Sequence, residues 1–168
     1  MKKLLFLLLV VGTAPAANAA VVGLSVDGVN PSNGYETIDP SETITLYVLS
    51  DTDDYPWLYE VSVAAADATL GTPSPTPNAG SMADYIDYSD ATIWDYELTT
   101  AGAPGTIKAG QQWYMDLSTI LPIGSPFIVK LGPYGEPPVS SIVFFNIPEP
   151  MTIGLLGLGG LFALRRRR

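Results

Sequence analysis

The chain has 168 residues, 47% of them hydrophobic, with a net charge of −9 and neither cysteine nor histidine. Those absences exclude disulfide staples, zinc sites built from Cys or His, and Ser-His-Asp or Cys-His catalysis. Six of the eight basic residues lie at the two ends, so residues 20–147 set sixteen acids against Lys108 and Lys130, a net of −14. Such a surface repels phosphate backbones, and nucleic acid is not an expected partner.

At the N-terminus Lys2 and Lys3 precede an apolar run from Leu4 to Val11, followed by the small residues "GTAPAANAA". That order is a secretory signal peptide, and Ala17 and Ala19 fit the A-x-A rule, predicting cleavage after Ala19. The run is shorter than the ~20 residues a spanning helix needs. Residues 1–19 are therefore read as a leader, 20–147 as the folded body and 148–168 as a separate tail. The body, about 125 residues, has the size of one domain with its own core.

The body is rich in Val, Ile, Thr and Tyr and is interrupted about every ten residues by Gly, Pro, Asn or Asp clusters, the pattern of short strands in a sandwich. Strands are predicted at 21–27, 43–50, 57–64, 92–100, from 106 onward, and at 113–119, 127–131 and 141–147. In "TITLYVLS" Ile44, Leu46 and Val48 alternate with Thr43, Thr45, Tyr47 and Leu49, giving one apolar and one mixed face. Between strands, "NPSNGYETIDPSET" and "DTDDYP" are turn-forming, and "GTPSPTPNAGS" (71–81) is a Pro-rich extended loop.

"PSETITLYVLSDT" resembles the early strand and turn of cohesin-like sandwiches. The expected fold class is therefore all-β, a single β-sandwich of jelly-roll or cohesin-like form, with the N-terminal signal peptide and a short C-terminal hydrophobic helix outside it.

Candidate chemistry in the body is sparse. Asp51, Asp53 and Asp54 form a dense carboxylate group of the kind calcium takes up, but Tyr55 and Pro56 replace the third acid and the glycine of a calcium loop, and solvated turn acids are the simpler reading. Tyr85, Tyr88 and Trp94 are candidates for stacking on sugar rings, against the alternative that strand tryptophans fill the core. Paired carboxylates could hydrolyse a glycoside at a suitable separation, which sequence does not give. An ice-binding role would call for Thr-x-Thr ladders, and Thr43-Ile44-Thr45 stands alone. No enzyme and no cofactor is expected. The expected role is structural or adhesive, with carbohydrate binding as the alternative.

After Ile147 the chain reads Pro148-Glu149-Pro150, then fourteen uncharged residues from Met151 to Leu164, then Arg165, Arg166, Arg167 and Arg168. The prolines hold the triplet extended and stop strand or helix from entering it. As a helix the apolar run is about 21 Å long, short of the ~30 Å hydrocarbon core, so it makes a marginal anchor. The arginines mark a cytoplasmic end.

Pro-Glu-Pro, short apolar run and arginine cluster, in this order and opposite a signal peptide, resemble the PEP-CTERM protein-sorting signal of Gram-negative bacteria. The resemblance implies recognition by a membrane exosortase that handles the chain near the triplet. It also implies transient residence in the inner membrane and delivery to the cell surface or an exopolysaccharide matrix. Pro148, Glu149 and Pro150 would be the recognition motif, Ile153 to Leu164 the membrane segment and the four arginines the retention cluster.

Overall fold

A computed structural model of the chain describes residues 22–147 except Asn33, Ser41, Tyr55 and Tyr134. Every regular element among them is a strand: β1 (Val22–Ser25), β2 (Tyr35–Ile38), β3 (Thr43–Ser50), β4 (Trp57–Ala64), β5 (Ala68–Leu70), β6 (Ser74–Pro75), β7 (Asp84–Asp87), β8 (Ile93–Thr100), β9 (Gly110–Thr119), β10 (Pro126–Gly132) and β11 (Ser140–Asn146). They form two sheets. One runs β1-β3-β9-β5, with β6 also on β9; the other runs β2-β11-β10-β4-β8-β7.

The sheets stack because each presents one apolar face. On β3, Leu46 and Val48 point inward, as the alternation requires. A register shift between Val48 and Leu49 then turns Leu49 and Ser50 inward as well. Trp113, Met115 and Leu117 of β9 meet Val61 and Val63 of β4, Leu98 of β8 and Val129 and Leu131 of β10 in a single core. Phe127 and Phe144 stack in it with ring centroids 5.1 Å apart. The tryptophans divide: Trp57 and Trp113 are buried, and Trp94 packs on the core's margin.

β1 and β2 lie in different sheets, so the 26–34 connection crosses from one sheet to the other. Asp27 fastens it: its carboxylate accepts from the Val29 and Asn30 N–H groups at 2.8 and 2.9 Å and from the Ser25 hydroxyl. These donors, the Asn30 N–H first, hold the Asp27 carboxyl well below the usual carboxylate range. β2 then pairs parallel with β11, while the other strand pairings are antiparallel.

Strands β3 and β4 match the sequence reading, and five other strands match it within a few residues. The stretch from Thr106 is corrected: Ile107 makes only an isolated bridge to Ala79, and the true strand starts at Gly110. Four strands sit where no strand was expected. β2 lies in "NPSNGYETIDPSET", β6 in the Pro-rich loop and β7 in "DYIDYSD"; β5 is a three-residue edge on β9. Each is short and borrows its ladder from a longer neighbour, so its own residues carry little pattern. The signal peptide with Ala17 and Ala19, and the C-terminal helix, lie outside the described residues.

The register defines two ends of the sandwich. The turns at 39–42, 64–68, 88–92 and 120–125 share one end with Ile147, where the tail departs. The connections at 51–56, 101–109 and 133–139 share the other with Val22, which pairs with Ser50.

Candidate docking face and sorting tail

The outer face of the six-stranded sheet follows from period two. Residues 61 and 63 on β4 and 96 and 98 on β8 are buried, so 58, 60 and 62 and 95, 97 and 99 face solvent. Register sets them side by side, Glu60 opposite Glu97 and Ser62 opposite Asp95, while Lys130 of β10 flanks Ser62 from the other side. Three carboxylates and one ammonium thus occupy the middle of the face. Apolar side chains border them: Leu58 (45% exposed) toward the 51–56 end, Ile86 on the β7 edge, and Ile128, Phe145 and Tyr35 toward the other edge. The Tyr35 and Phe145 rings lie 6.3 Å apart, tilted by 22°.

Like charges on neighbouring strands repel, and on this face the repulsion falls on Asp95, diagonal to Glu60. Burial, then the neighbouring Glu60 carboxyl and a hydrogen bond to it, push the Asp95 carboxyl up to about 6. Elsewhere on this side the turn acids are held ionised: Ser89 lowers Asp87, and Thr92 lowers Asp90.

The β4–β10 ladder spans only Glu60–Ser62 against Lys130–Gly132, whereas β4 and β8 pair over eight residues. Where it stops, an open cleft of about 500 Å³ forms, lined by Val63, Ala64, Ile93, Pro126, Phe127 and Ile128 among others. A smaller hollow of about 70 Å³ lies between Glu60, Lys130 and Glu136.

The sequence candidates disperse. Asp53 accepts from the Ala109 N–H and Asp54 from the Gly105 N–H, each at 2.7 Å, tying the 51–56 turn to the 101–109 connection, and Asp51 accepts from the Thr52 hydroxyl. Among the described residues no three His, Cys, Asp or Glu side chains converge as a metal-holding group. Tyr85 turns inward, its ring edge-on to Tyr96 at 6.0 Å and Trp113 at 6.4 Å. Trp94 also packs on the core, whereas Tyr88 is exposed beyond the end of β7. The three aromatic rings therefore do not share a face.

Glu60, Asp95 and Glu97 went unnoticed in the sequence. The signal was present as E-x-S and D-x-E within two strands, which period two puts on one face, but only the register shows that those faces adjoin.

Of the tail, the structure describes its root. The buried Asn146 donates its side-chain amide to the Leu121 carbonyl, and the Gly124 N–H donates to the Asn146 carbonyl at 2.7 Å. Ile147 then donates its N–H to Ile38. Pro148, Glu149, Pro150 and Arg165 to Arg168 lie outside the described residues. Among the described residues no helix is long and apolar enough to cross a membrane.

Residues 146–168 match the PEP-CTERM protein-sorting motif. No curated protein matches the chain. Among solved structures, the chain is similar to the sixth cohesin from scaffoldin B of Acetivibrio cellulolyticus, in complex with a mutant Cel5 dockerin. Identity is 9%, with 77% of this chain and 99% of that one covered, at a TM-score of 0.52. It is likewise similar to CaCohA2 from Clostridium acetobutylicum, at 13% identity, 76% and 91% coverage and a TM-score of 0.50. The body is a cohesin-like β-sandwich, and the tail carries a sorting signal for exosortase-dependent export to the cell surface.

Proposed function

We propose that this chain is an exported, non-enzymatic adhesive module: a β-sandwich set on the cell surface by its tail, where the outer face of the six-stranded sheet docks a protein partner. The observation that carries it is the make-up of that face. Five exposed apolar side chains, Leu58, Ile86, Ile128, Phe145 and Tyr35, border an acidic middle on one sheet face. Exposed apolar residues with a polar complement are what a specific interface needs. The partner chemistry that fits is an apolar surface carrying lysine or arginine opposite Glu60 and Glu97. One similar cohesin was solved with a dockerin bound, which supports a protein as the partner class. A polysaccharide stacked on Tyr85, Tyr88 and Trp94 has no common ring face to lie on, so the protein reading is preferred.

The non-enzymatic reading is supported by the fold. A cohesin-like sandwich is a binding scaffold in the similar structure solved with a dockerin bound, and on this face Asp95 and Glu60 stand among apolar side chains suited to docking. The domain boundaries, 1–19, 20–147 and 148–168, belong to the same proposal.

One deletion and one double variant test this reading. Without exosortase, fractionation is expected to move the protein from the surface to the membrane fraction; an unchanged distribution contradicts the sorting half. Leu58→Lys with Ile128→Lys is expected to leave sorting intact and abolish surface adhesion. Adhesion equal to that of the parent chain contradicts the docking half.

A further inference from the structure

The β9–β10 connection, "ILPIGS" at 120–125, carries no charge in a body of net −14. Its Ile120 and Ile123 are 65% and 61% exposed, while Leu121 between them packs on the core. It is held firmly. The Ile120 N–H donates to Asp67, the Leu121 N–H to the Thr119 hydroxyl and the Ser125 N–H to Pro122, and Gly124 supplies the positive φ of +89° that closes the turn. Keeping two isoleucines in water on a rigid turn gives the fold no burial, so the turn itself has no need of them.

Its position gives them a use. Gly124 and Leu121 bond Asn146, the residue before Ile147, and Ile147, where the tail departs, is itself exposed at that end. Between Ile147 and Met151, where the apolar run begins, only the Pro-Glu-Pro triplet intervenes. Four extended steps reach about 14 Å at most. While the tail is in a membrane, this end of the sandwich is therefore tethered at the lipid surface, whereas Met82 near Ala101 stays at the far end.

We infer that the Ile120–Ile123 turn is a membrane foot: it inserts its two isoleucines into the lipid interface beside the sorting tail. This rests on the reading of the tail as membrane-entering. A fourteen-residue run anchors weakly, and added apolar side chains at the interface strengthen and orient it. The domain would then stand on its tail end and present Pro148-Glu149-Pro150 at the membrane surface, with the docking face at its side. The acids in the neighbouring turns of the same end, Asp39, Glu42, Asp67 and Asp90, make the attraction one to neutral lipid, and anionic lipid weakens it.

Because the chain has no cysteine, single labels test this directly. The full chain through Arg168, carrying a polarity-sensitive fluorophore at Ile123→Cys, Met82→Cys or Ile153→Cys, is reconstituted into phosphatidylcholine vesicles with lipid brominated near the headgroup. The expected result is a blue shift and loss of fluorescence at positions 123 and 153 and neither at 82. Quenching at 153 without quenching at 123 overturns the foot and leaves the tail reading standing. Quenching at neither overturns both. A change at 123 that needs added exosortase means the turn meets a protein, and overturns the lipid assignment.

Discussion

Asn146 and Leu121 lie 25 residues apart in sequence, yet the buried amide of one donates to the carbonyl of the other. This pair joins the last strand to the β9–β10 turn and so fixes the point from which the sorting tail leaves. Asn146→Ala is expected to leave the Leu121 carbonyl without this partner and cost about 1–3 kcal/mol, read by urea unfolding. A loss below a few tenths of a kcal/mol would mean that water replaces the amide.

Asp95 makes stability depend on pH. Its carboxyl titrates near 6 in the folded chain, above its ordinary value, so the folded state holds more protons between those two values. Its contribution is fully present below about pH 4 and is lost as pH rises through 6. Asp95→Asn is therefore expected to raise Tm at pH 7.5 and to change it little at pH 4. Equal shifts at both pH values would remove Glu60 and burial as the cause.

Asp53 and Asp54 hold loops. Replacing either by Ala is expected to cost about 1 kcal/mol, a charge-assisted bond discounted for exposure. Because these carboxylates already accept backbone N–H groups, calcium or a chelator is expected to leave Tm unchanged. A calcium-dependent rise in Tm that Asp53→Ala abolishes would restore the metal reading.

The two faces of the six-stranded sheet should respond oppositely to truncation. Leu98 is fully buried and Leu58 is half exposed on the neighbouring strand, one residue out of phase. Leu98→Ala is expected to cost about 2–5 kcal/mol, and Leu58→Ala about 0.5 kcal/mol or less. Similar losses would mean that Leu58 packs against something in the free domain.

How much of this was readable in the residues varied with strand length. β3 and β4 are eight residues long and central, and their Val, Leu and Trp content showed them with correct ends. β6 and β7 were hidden because Pro75 and the aspartates of "DYID" satisfy turn chemistry locally, while the pairing that makes them strands comes from β9 and β8. Tyr85 and Trp94 looked like surface aromatics beside acids, and only the register showed that they share the buried face with Leu98. The docking face was invisible for the same reason: Glu60 and Glu97 are 37 positions apart and become neighbours through one ladder. The tail needed no fold, since triplet, apolar run and arginines are contiguous.

The intact mass of the mature protein, taken from cells with and without exosortase, tests the central claim most directly. With the enzyme present, the mass should correspond to a chain that starts at Ala20 and has lost the apolar run and Arg165 to Arg168. Without it, the chain should extend to Arg168. A single mass in both, still containing the arginines, would contradict sorting by this tail.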